Sequence, residues 1–207
     1  MLKKTILTLS TLLLMSGCVT KEVIYRPTPQ IIPQQPTTQR THPLKSHTFA
    51  GERLTASQRV SDLVYEIERL NNNTAYLEID SNQNVQVGAY LNISVTPNRA
   101  GYLKIITIDP NGERSQVVPN FKHNGYLRAN ERFYTNNEKF ALKATNPKGL
   151  HYVVILFSQR RVNLAVQQGM SGYNGLESDQ DFINILQSIN NQNYGKSYIH
   201  IFPMRIH

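Results

Sequence analysis

The sequence is poor in the features that support disulfide chemistry, thiolate catalysis and membrane crossing. It contains one cysteine, Cys18, and no tryptophan. A single thiol cannot form an internal disulfide, and it cannot build a cysteine-rich metal site. The main apolar run, from Ile6 to Met15, is interrupted by hydroxyl residues and is shorter than the roughly 20 apolar residues that span a bilayer. Disulfide-stabilised folds, zinc–thiolate centres and membrane-spanning helices are therefore not expected.

The same apolar run, preceded by Lys3 and Lys4, is typical of an export signal. The run ends in Leu14-Met15-Ser16-Gly17-Cys18, which resembles the lipobox of bacterial lipoproteins. This resemblance implies a signal peptide over residues 1–17, cleavage before Cys18, a thioether-linked diacylglycerol on its sulfur and an acyl chain such as palmitate on its amino group. The alternatives are an ordinary secretory signal with a chance cysteine and an uncleaved anchor.

Residue 19 bears on the destination of such a lipoprotein. Lipoproteins retained in the inner membrane often carry Asp after the cysteine, whereas this chain has Val19. By resemblance to that sorting rule we expect a lipid anchor in the outer membrane of the cell envelope, with the protein facing the periplasm.

Residues 18–50 are rich in Pro, Gln and Thr, as in the stretch from Arg26 to Pro36. Such a composition favours an extended chain that buries little surface. We predict a disordered, lipidated tether here. A plain spacer is favoured over a proline-rich segment that a partner recognises.

Net charge narrows the class of partner. The formal charge is +8, and removal of Lys3 and Lys4 with the signal leaves +6 (8 − 2). A basic surface attracts anions such as lipid headgroups, lipopolysaccharide or acidic cell-wall polymers. Nucleic acid is not an expected partner in the envelope.

Hydrophobic periodicity predicts a single β-rich domain over residues 51–207. Leu63, Val64, Ile67 and Leu70 recur at helical spacing after the candidate caps Thr55 and Ser57, and a second helix is predicted over 181–189. Alternating or apolar segments bounded by turns predict strands near 77–79, 91–95, 102–108, 117–118, 140–144, 152–157 and 198–202. We therefore expect a mainly β fold, a β-sandwich-like antiparallel domain with one or two flanking helices; a partly open barrel is the alternative.

The middle of the chain, about residues 87–163, resembles a bacterial envelope domain catalogued as domain of unknown function 4384. The shared pieces are Val87-Gly88, Ala100-Gly101-Tyr102-Leu103, Asp109-Pro110-Asn111-Gly112, Val118-Pro119-Asn120, Phe140 and Lys148-Gly149 before Tyr152-Val153-Val154-Ile155. The family usually has Phe-Pro-Asn where this chain has Val118-Pro119-Asn120. The resemblance implies a β-rich domain of exported or membrane-attached proteins, and it implies no catalytic residues.

No catalytic or metal-binding pattern stands out in the sequence. The six histidines show no paired metal spacing. The carboxylates of Glu177, Asp179 and Asp181 could hold calcium, but the chain lacks the glycine-bearing loop with its terminal Glu, and helix capping accounts for Asp179 and Asp181. We therefore expect no cofactor, no metal and no enzymatic activity; an enzyme acting on envelope polymers is the weakest alternative.

The best candidate for a binding surface is basic and aromatic. The candidate contact residues lie between predicted strands or directly after the buried strand; they are Lys122, Tyr126, Arg128, Arg132, Arg160 and Arg161, with Phe121, His123 and Tyr134 beside them. If these loops meet at one end of the sandwich, they form a cationic patch with aromatic contacts; otherwise they are solvated loops of a basic protein. The preferred hypothesis is a non-catalytic lipoprotein that presents the sandwich to a protein partner. An accessory role in a larger envelope or secretion assembly is one form of this hypothesis. The alternative is binding of an anionic envelope ligand through the same loops.

Overall fold

A computed structural model describes residues 42–71, 77–120, 122–137, 141–161, 173–174, 178–192 and 197–207. The chain divides into two units, 1–39 and 40–207, and the described residues all belong to the second. The predicted signal peptide, Cys18 and the tether up to residue 41 lie outside the described residues, as do Phe121 and Phe140.

The described residues form short and long strands with two helices. In chain order the elements are β1 (Ser46–Phe49), β2 (Glu52–Thr55), α1 (Gln58–Arg69), β3 (Leu77–Ser81), β4 (Asn84–Val85), β5 (Ile93–Pro97), β6 (Gly101–Ile108), β7 (Arg114–Val118), β8 (Tyr126–Leu127), β9 (Phe133–Tyr134), β10 (Gly149–Ser158), β11 (Tyr173–Asn174), α2 (Asp179–Gln192) and β12 (Ser197–Ile206).

The larger sheet has the strand order β11-β7-β6-β10-β12-β4, and β8 also pairs with β6. Its central strands β6, β10 and β12 are antiparallel, while β12 and β4 run parallel. A smaller antiparallel sheet has the order β3-β5-β9, and β1 and β2 form a separate hairpin. The fold is therefore mainly β and largely antiparallel, as predicted.

The larger sheet lies between two hydrophobic cores. On one face, Ile106, Val154 and Leu156 pack with apolar residues of α1 and α2. On the other face, Ile105 and Val153 pack with residues of the smaller sheet such as Val95. Because both faces of β10 are covered, its residues 150–158 are all buried, which explains the continuous apolar run. The architecture is a two-sheet sandwich with a helical layer on the outside of the larger sheet.

Local chemistry explains the helix boundaries. Ser57 is the N-cap of α1, and its hydroxyl accepts a hydrogen bond from the Val60 N–H at 3.4 Å. The helix buries Leu63, Val64 and Ile67 of the predicted stripe and also Val60, whereas Leu70 is its half-buried C-cap. At the start of α2, the Asp181 N–H donates to the Ser178 hydroxyl at 3.2 Å.

The structure differs from the sequence prediction at two places. Residues 46–49, predicted as tether, form β1 of the hairpin, because Phe49 is buried in the helical-side core. Residues 141–144, which belong to the predicted strand 140–144, do not form a strand in the structure. There the structure shows isolated bridges, Tyr90 with Lys143 and Asn136 with Ala141, because this segment joins two neighbours over a few residues only.

Candidate interaction surface

Strand register places three of the predicted contact residues at one end of the larger sheet. Tyr102, near the start of β6, is the partner of Ser158 on β10 and of Tyr126 on β8. The rings of Tyr102 and Tyr126 meet edge to face with centroids 5.3 Å apart. Arg160 and Arg161 directly follow Ser158, so they lie at the same end as Tyr126.

The loop between β8 and β9 brings Arg128 to this end as well. The Asn130 N–H donates to the carbonyl of Pro97 at 2.6 Å, which fixes the loop against the turn from β5 to β6. That turn contributes Arg99, which the sequence analysis had not singled out. We call the set of Arg99, Tyr126, Arg128, Arg160 and Arg161 the basic end. Its members are exposed, and one carboxylate, Glu131, accepts the backbone N–H of Arg128 at 2.8 Å.

The structure assigns the two remaining predicted residues to other surroundings. Arg132 belongs to the smaller sheet: its guanidinium donates to the Ser94 hydroxyl at 3.1 Å and lies 4.9 Å from the ring centroid of Tyr134. Lys122 lies in the loop from β7 to β8, where its backbone N–H donates to the Asn120 side chain at 2.8 Å. The structure therefore brings Tyr126, Arg128, Arg160 and Arg161 to one end of the larger sheet and places Arg132 beside the smaller sheet; their role in binding stays a prediction.

A buried lysine adds to the positive charge near the basic end. Lys104 lies on β6 with only 6% of its surface exposed. Burial and the nearby charge of Arg161 lower the pKa of Lys104 to about 8. Within the described ranges, its ammonium group makes no ion pair. Nothing in the sequence signalled this residue, because its place on the strand looked like that of an ordinary polar neighbour.

A cavity of about 450 Å³ lies on the sandwich side of the larger sheet. Its apolar lining includes Leu142, Val153 and Met204, and its polar lining includes Asp109 and His151. His151 Nε2 lies 2.7 Å from the Pro147 carbonyl oxygen, so this nitrogen donates to it. Burial lowers the pKa of His151, which keeps the ring neutral near pH 7.

The acidic residue Asp179, at the start of α2, forms ion pairs with arginine side chains. Asp179 accepts from Arg59 Nε at 2.8 Å and also binds the buried guanidinium of Arg114. These two arginines hold the pKa of Asp179 below its usual range against the opposing effect of burial. In the part of the chain that the structure describes, no group of three or more His, Cys, Asp or Glu residues could hold a metal ion. Over the same residues, no helix is both long and apolar enough to cross a membrane.

Comparison with known proteins finds a match among the family models. Neither the curated proteins nor the solved structures include a significant match to this chain. A family model described as "Domain of unknown function (DUF4384)" matches residues 84–161. The match runs from β4 to just past β10 and includes the basic end, in agreement with the resemblance predicted over 87–163. Residues 84–161 of this chain therefore form a domain that resembles the family of the domain of unknown function DUF4384.

Proposed function

We propose that this protein is a non-catalytic lipoprotein of the bacterial cell envelope that docks an acidic protein partner through the basic end. The observation that carries the proposal is the meeting of four exposed arginines and one exposed tyrosine at the same end of the sandwich. Arginine and tyrosine are enriched at the centres of protein interfaces. In this proposal the partner belongs to a larger envelope or secretion assembly in which this chain is an accessory.

The anchoring part of the proposal rests on the sequence around Cys18. Lipidation of Cys18 after removal of residues 1–17 attaches the chain to a membrane, and Val19 favours the outer membrane with the domain in the periplasm. One acyl chain gives only marginal membrane binding, whereas two or three chains on the same cysteine make attachment stable. Metabolic labelling of cells with radioactive palmitate tests this step: the wild-type chain takes up label, and Cys18→Ala does not. Equal labelling of both would refute it.

The docking part rests on the chemistry of the basic end. The ring of Tyr126 is 42% exposed, although it is held edge to face against Tyr102. A ring that is already positioned loses little conformational entropy when a partner covers it. The arginines can each donate two parallel hydrogen bonds to a carboxylate, which gives an acidic partner a fixed orientation.

A second candidate is an anionic envelope ligand such as lipopolysaccharide, a lipid headgroup or an acidic cell-wall polymer. It is favoured by the position of Lys104, a lysine buried on β6 close to Arg161, whose charge adds to that of the exposed arginines. Binding to vesicles that contain lipopolysaccharide would then weaken as salt rises, because mobile ions screen the attraction. It would also weaken in Arg160→Glu.

Site-specific photo-crosslinking in intact cells tests the docking. A photoreactive phenylalanine analogue at position 126 of the full-length chain is expected to give a discrete protein adduct. The double variant Arg128→Glu, Arg160→Glu should lower its yield about tenfold, because each reversed charge opposes an acidic partner. Arg53→Glu is the matched control, since Arg53 is an exposed arginine on β2 and the neighbouring Glu52 binds Arg205 at the opposite end of β12.

The outcomes separate the two candidates. Adduct loss in the double variant with retention in Arg53→Glu supports a protein partner. Absence of any adduct, or an adduct that survives both reversals, would refute docking at the basic end. Salt-sensitive binding to lipopolysaccharide vesicles without a protein adduct would favour the anionic ligand.

A further inference from the structure

The outer face of the smaller sheet is distinct from the basic end. Leu91 and Ile93 are buried in the sandwich core, so Tyr90 and Asn92, just before β5, and Ser94 on β5 lie on the opposite side of the chain. Tyr90 and Asn92 are exposed, whereas Ser94 is only 6% exposed and accepts a hydrogen bond from Arg132. Among the described residues, no helix or sheet packs over this face. It belongs to the sheet β3-β5-β9, and the helical layer lies beyond the other sheet.

Two exposed tyrosines lie on this face, one on each side of the paired side chains of Asn92 and Asn136. Tyr90 and Tyr134 are each 43% exposed. Tyr134 is the cross-strand partner of Ser94, which lies four residues from Tyr90 along the chain. At the rise of a β-strand, that separation is about 13 Å.

Each tyrosine is held by a neighbouring cation. Lys143 Nζ lies 5.2 Å from the ring centroid of Tyr90, and the guanidinium carbon of Arg132 lies 4.9 Å from that of Tyr134. Such cation–π contacts limit the motion of a surface ring. Both rings are thus positioned before any ligand binds, which lowers the entropic cost of binding.

Asparagine side chains lie between the two rings. Asn136 Nδ2 donates to the side-chain oxygen of Asn92 at 2.9 Å across neighbouring strands. On the other side, the Asn92 N–H donates to the side-chain oxygen of Asn82 at 2.7 Å. An amide group can donate and accept hydrogen bonds at once. The Asn82 amide is taken up by the backbone, because its nitrogen also donates to the Tyr90 carbonyl at 3.4 Å. The amides of Asn92 and Asn136 therefore form a polar pair across neighbouring strands, with one of the two tyrosines on each side along the chain.

The charge on this face differs from that of the whole protein. The described charged residues on its strands are two acids, Glu78 and Asp80 on β3, and two bases lie beside its tyrosines, Arg132 before β9 and Lys143 bridged to Tyr90. Their charges cancel, although the whole chain carries +8. A neutral face gives no general attraction to polyanions. The chemistry it offers is apolar ring surface next to groups that both donate and accept hydrogen bonds.

We propose that the outer face of the smaller sheet is a binding site for an uncharged glycan chain. The CH-bearing face of a sugar ring is apolar and packs against tyrosine, while its hydroxyl and acetamido groups pair with the asparagine amides. The separation of the two tyrosines requires an oligosaccharide that spans both rings; a single sugar reaches only one. This site is independent of the proposed docking at the basic end, because the two surfaces use different tyrosines.

Isothermal titration calorimetry on the full chain in detergent tests the proposal, with N-acetylchitotetraose as the uncharged probe. We expect saturable binding of the tetrasaccharide and at least about tenfold weaker binding of N-acetylglucosamine, since the monomer covers one ring. Tyr90→Ala and Tyr134→Ala should each weaken tetrasaccharide binding about tenfold. Tyr65→Ala is the matched control, because Tyr65 is a partly exposed tyrosine on α1, in the helical layer on the other side of the larger sheet.

Further variants test whether weaker tetrasaccharide binding is caused by loss of the rings or by loss of folding. Tyr90→Phe and Tyr134→Phe keep the rings and should bind within about threefold of wild type. Absence of tetrasaccharide binding by the wild-type chain would overturn the proposal. The proposal would also be overturned if tetrasaccharide binding survived the double variant Tyr90→Ala, Tyr134→Ala, or if this face bound polyglutamate and not the tetrasaccharide. Because the adduct at position 126 reports docking separately, failure of one proposal leaves the other standing.

Discussion

Removal of one hydroxyl from the core should make this protein more stable. The side chain of Tyr152 on β10 is 1% exposed, and within the described residues its hydroxyl has no hydrogen-bond partner. The ring of His47 lies edge-on with its centroid 5.7 Å from that of Tyr152, and Nε2 of His47 is likewise unpartnered. The substitution Tyr152→Phe keeps the buried ring and removes only the hydroxyl.

The expected gain follows from the desolvation of that hydroxyl. A buried polar group without a partner costs about 1–3 kcal/mol relative to its hydration in the unfolded chain. Since phenylalanine leaves a small gap where the oxygen was, we expect the lower end, a rise of about 1 kcal/mol in the free energy of unfolding. For a domain of this size, that gain raises Tm by about 3 °C.

Urea unfolding at pH 7 measures this change, with Tyr65→Phe as the control in the same layer. Tyr65 is partly exposed and stacks on His42 with centroids 4.7 Å apart, so its variant should stay within about 0.5 kcal/mol of wild type. A loss of about 1 kcal/mol or more in Tyr152→Phe would refute the reasoning. It would mean that the hydroxyl makes a hydrogen bond in solution, with His47 as the nearest candidate.

The same residue makes a second, independent prediction at alkaline pH. Burial, with smaller effects of Glu68 and Tyr65, raises the pKa of Tyr152. The unfolded chain then releases this proton first as the pH rises past about 10, so the free energy of unfolding falls there. Tyr152→Phe should remove part of that fall. An identical alkaline decline in both proteins would contradict this assignment.

Three further predictions concern stability. Asp179→Ala leaves the buried guanidinium of Arg114 without its carboxylate and should lower the free energy of unfolding by about 3 kcal/mol in urea titrations. Gly101→Ala places a Cβ 2.6 Å from a ring carbon of Phe157, and we expect a loss of about 2 kcal/mol by the same assay. Burial lowers the pKa of four histidines, so their contribution to stability is complete above pH 6.5 and is lost as the pH falls below it; the urea midpoint should be lower at pH 5.5 than at pH 7.5. These histidines are His47, His123, His151 and His200.

Each of these predictions has a control and a contrary result. Asp181→Ala lies in the same turn as Asp179 and should cost no more than about 1 kcal/mol; equal losses would exclude a special role for the pair with Arg114. Gly101 does not have a positive φ, so its variant reports crowding, whereas Gly51→Ala, with φ +86° and no heavy atom within 4 Å of its new Cβ, reports backbone strain alone. A loss below about 0.5 kcal/mol in Gly101→Ala would contradict the crowding. Equal urea midpoints at the two pH values would contradict the shifts in histidine pKa.

Long periodic segments were predictable from the sequence because their patterns record which side chains are buried. The stripe on α1 and the strands β6, β10 and β12 all lie where periodicity predicted them. The strands β4, β8, β9 and β11 have two residues each, and such segments carry too few residues to show a period. The hairpin of β1 and β2 was missed because its composition continues that of the proline-rich stretch before it.

The candidate surfaces likewise combine residues that the sequence indicated with contacts that only the fold creates. The residue types of the basic end were evident from the sequence, but Arg132 was grouped with the wrong neighbours. Its proximity to Ser94 comes from pairing between β5 and β9, about forty residues apart. The contacts among Asn82, Asn92 and Asn136 were not predicted, because these residues come from three separate segments of the chain.

The sequence by itself determined the mainly β class, the two helices, the family resemblance and the candidate lipid attachment at Cys18, because each depends on residues close together in the chain. Tertiary structure alone decided which faces are covered and which side chains meet. Register sets Tyr126 beside Tyr102 and the asparagine amides beside one another, and packing buries Lys104 and Tyr152. Those arrangements depend on contacts between distant segments, which local sequence patterns do not record.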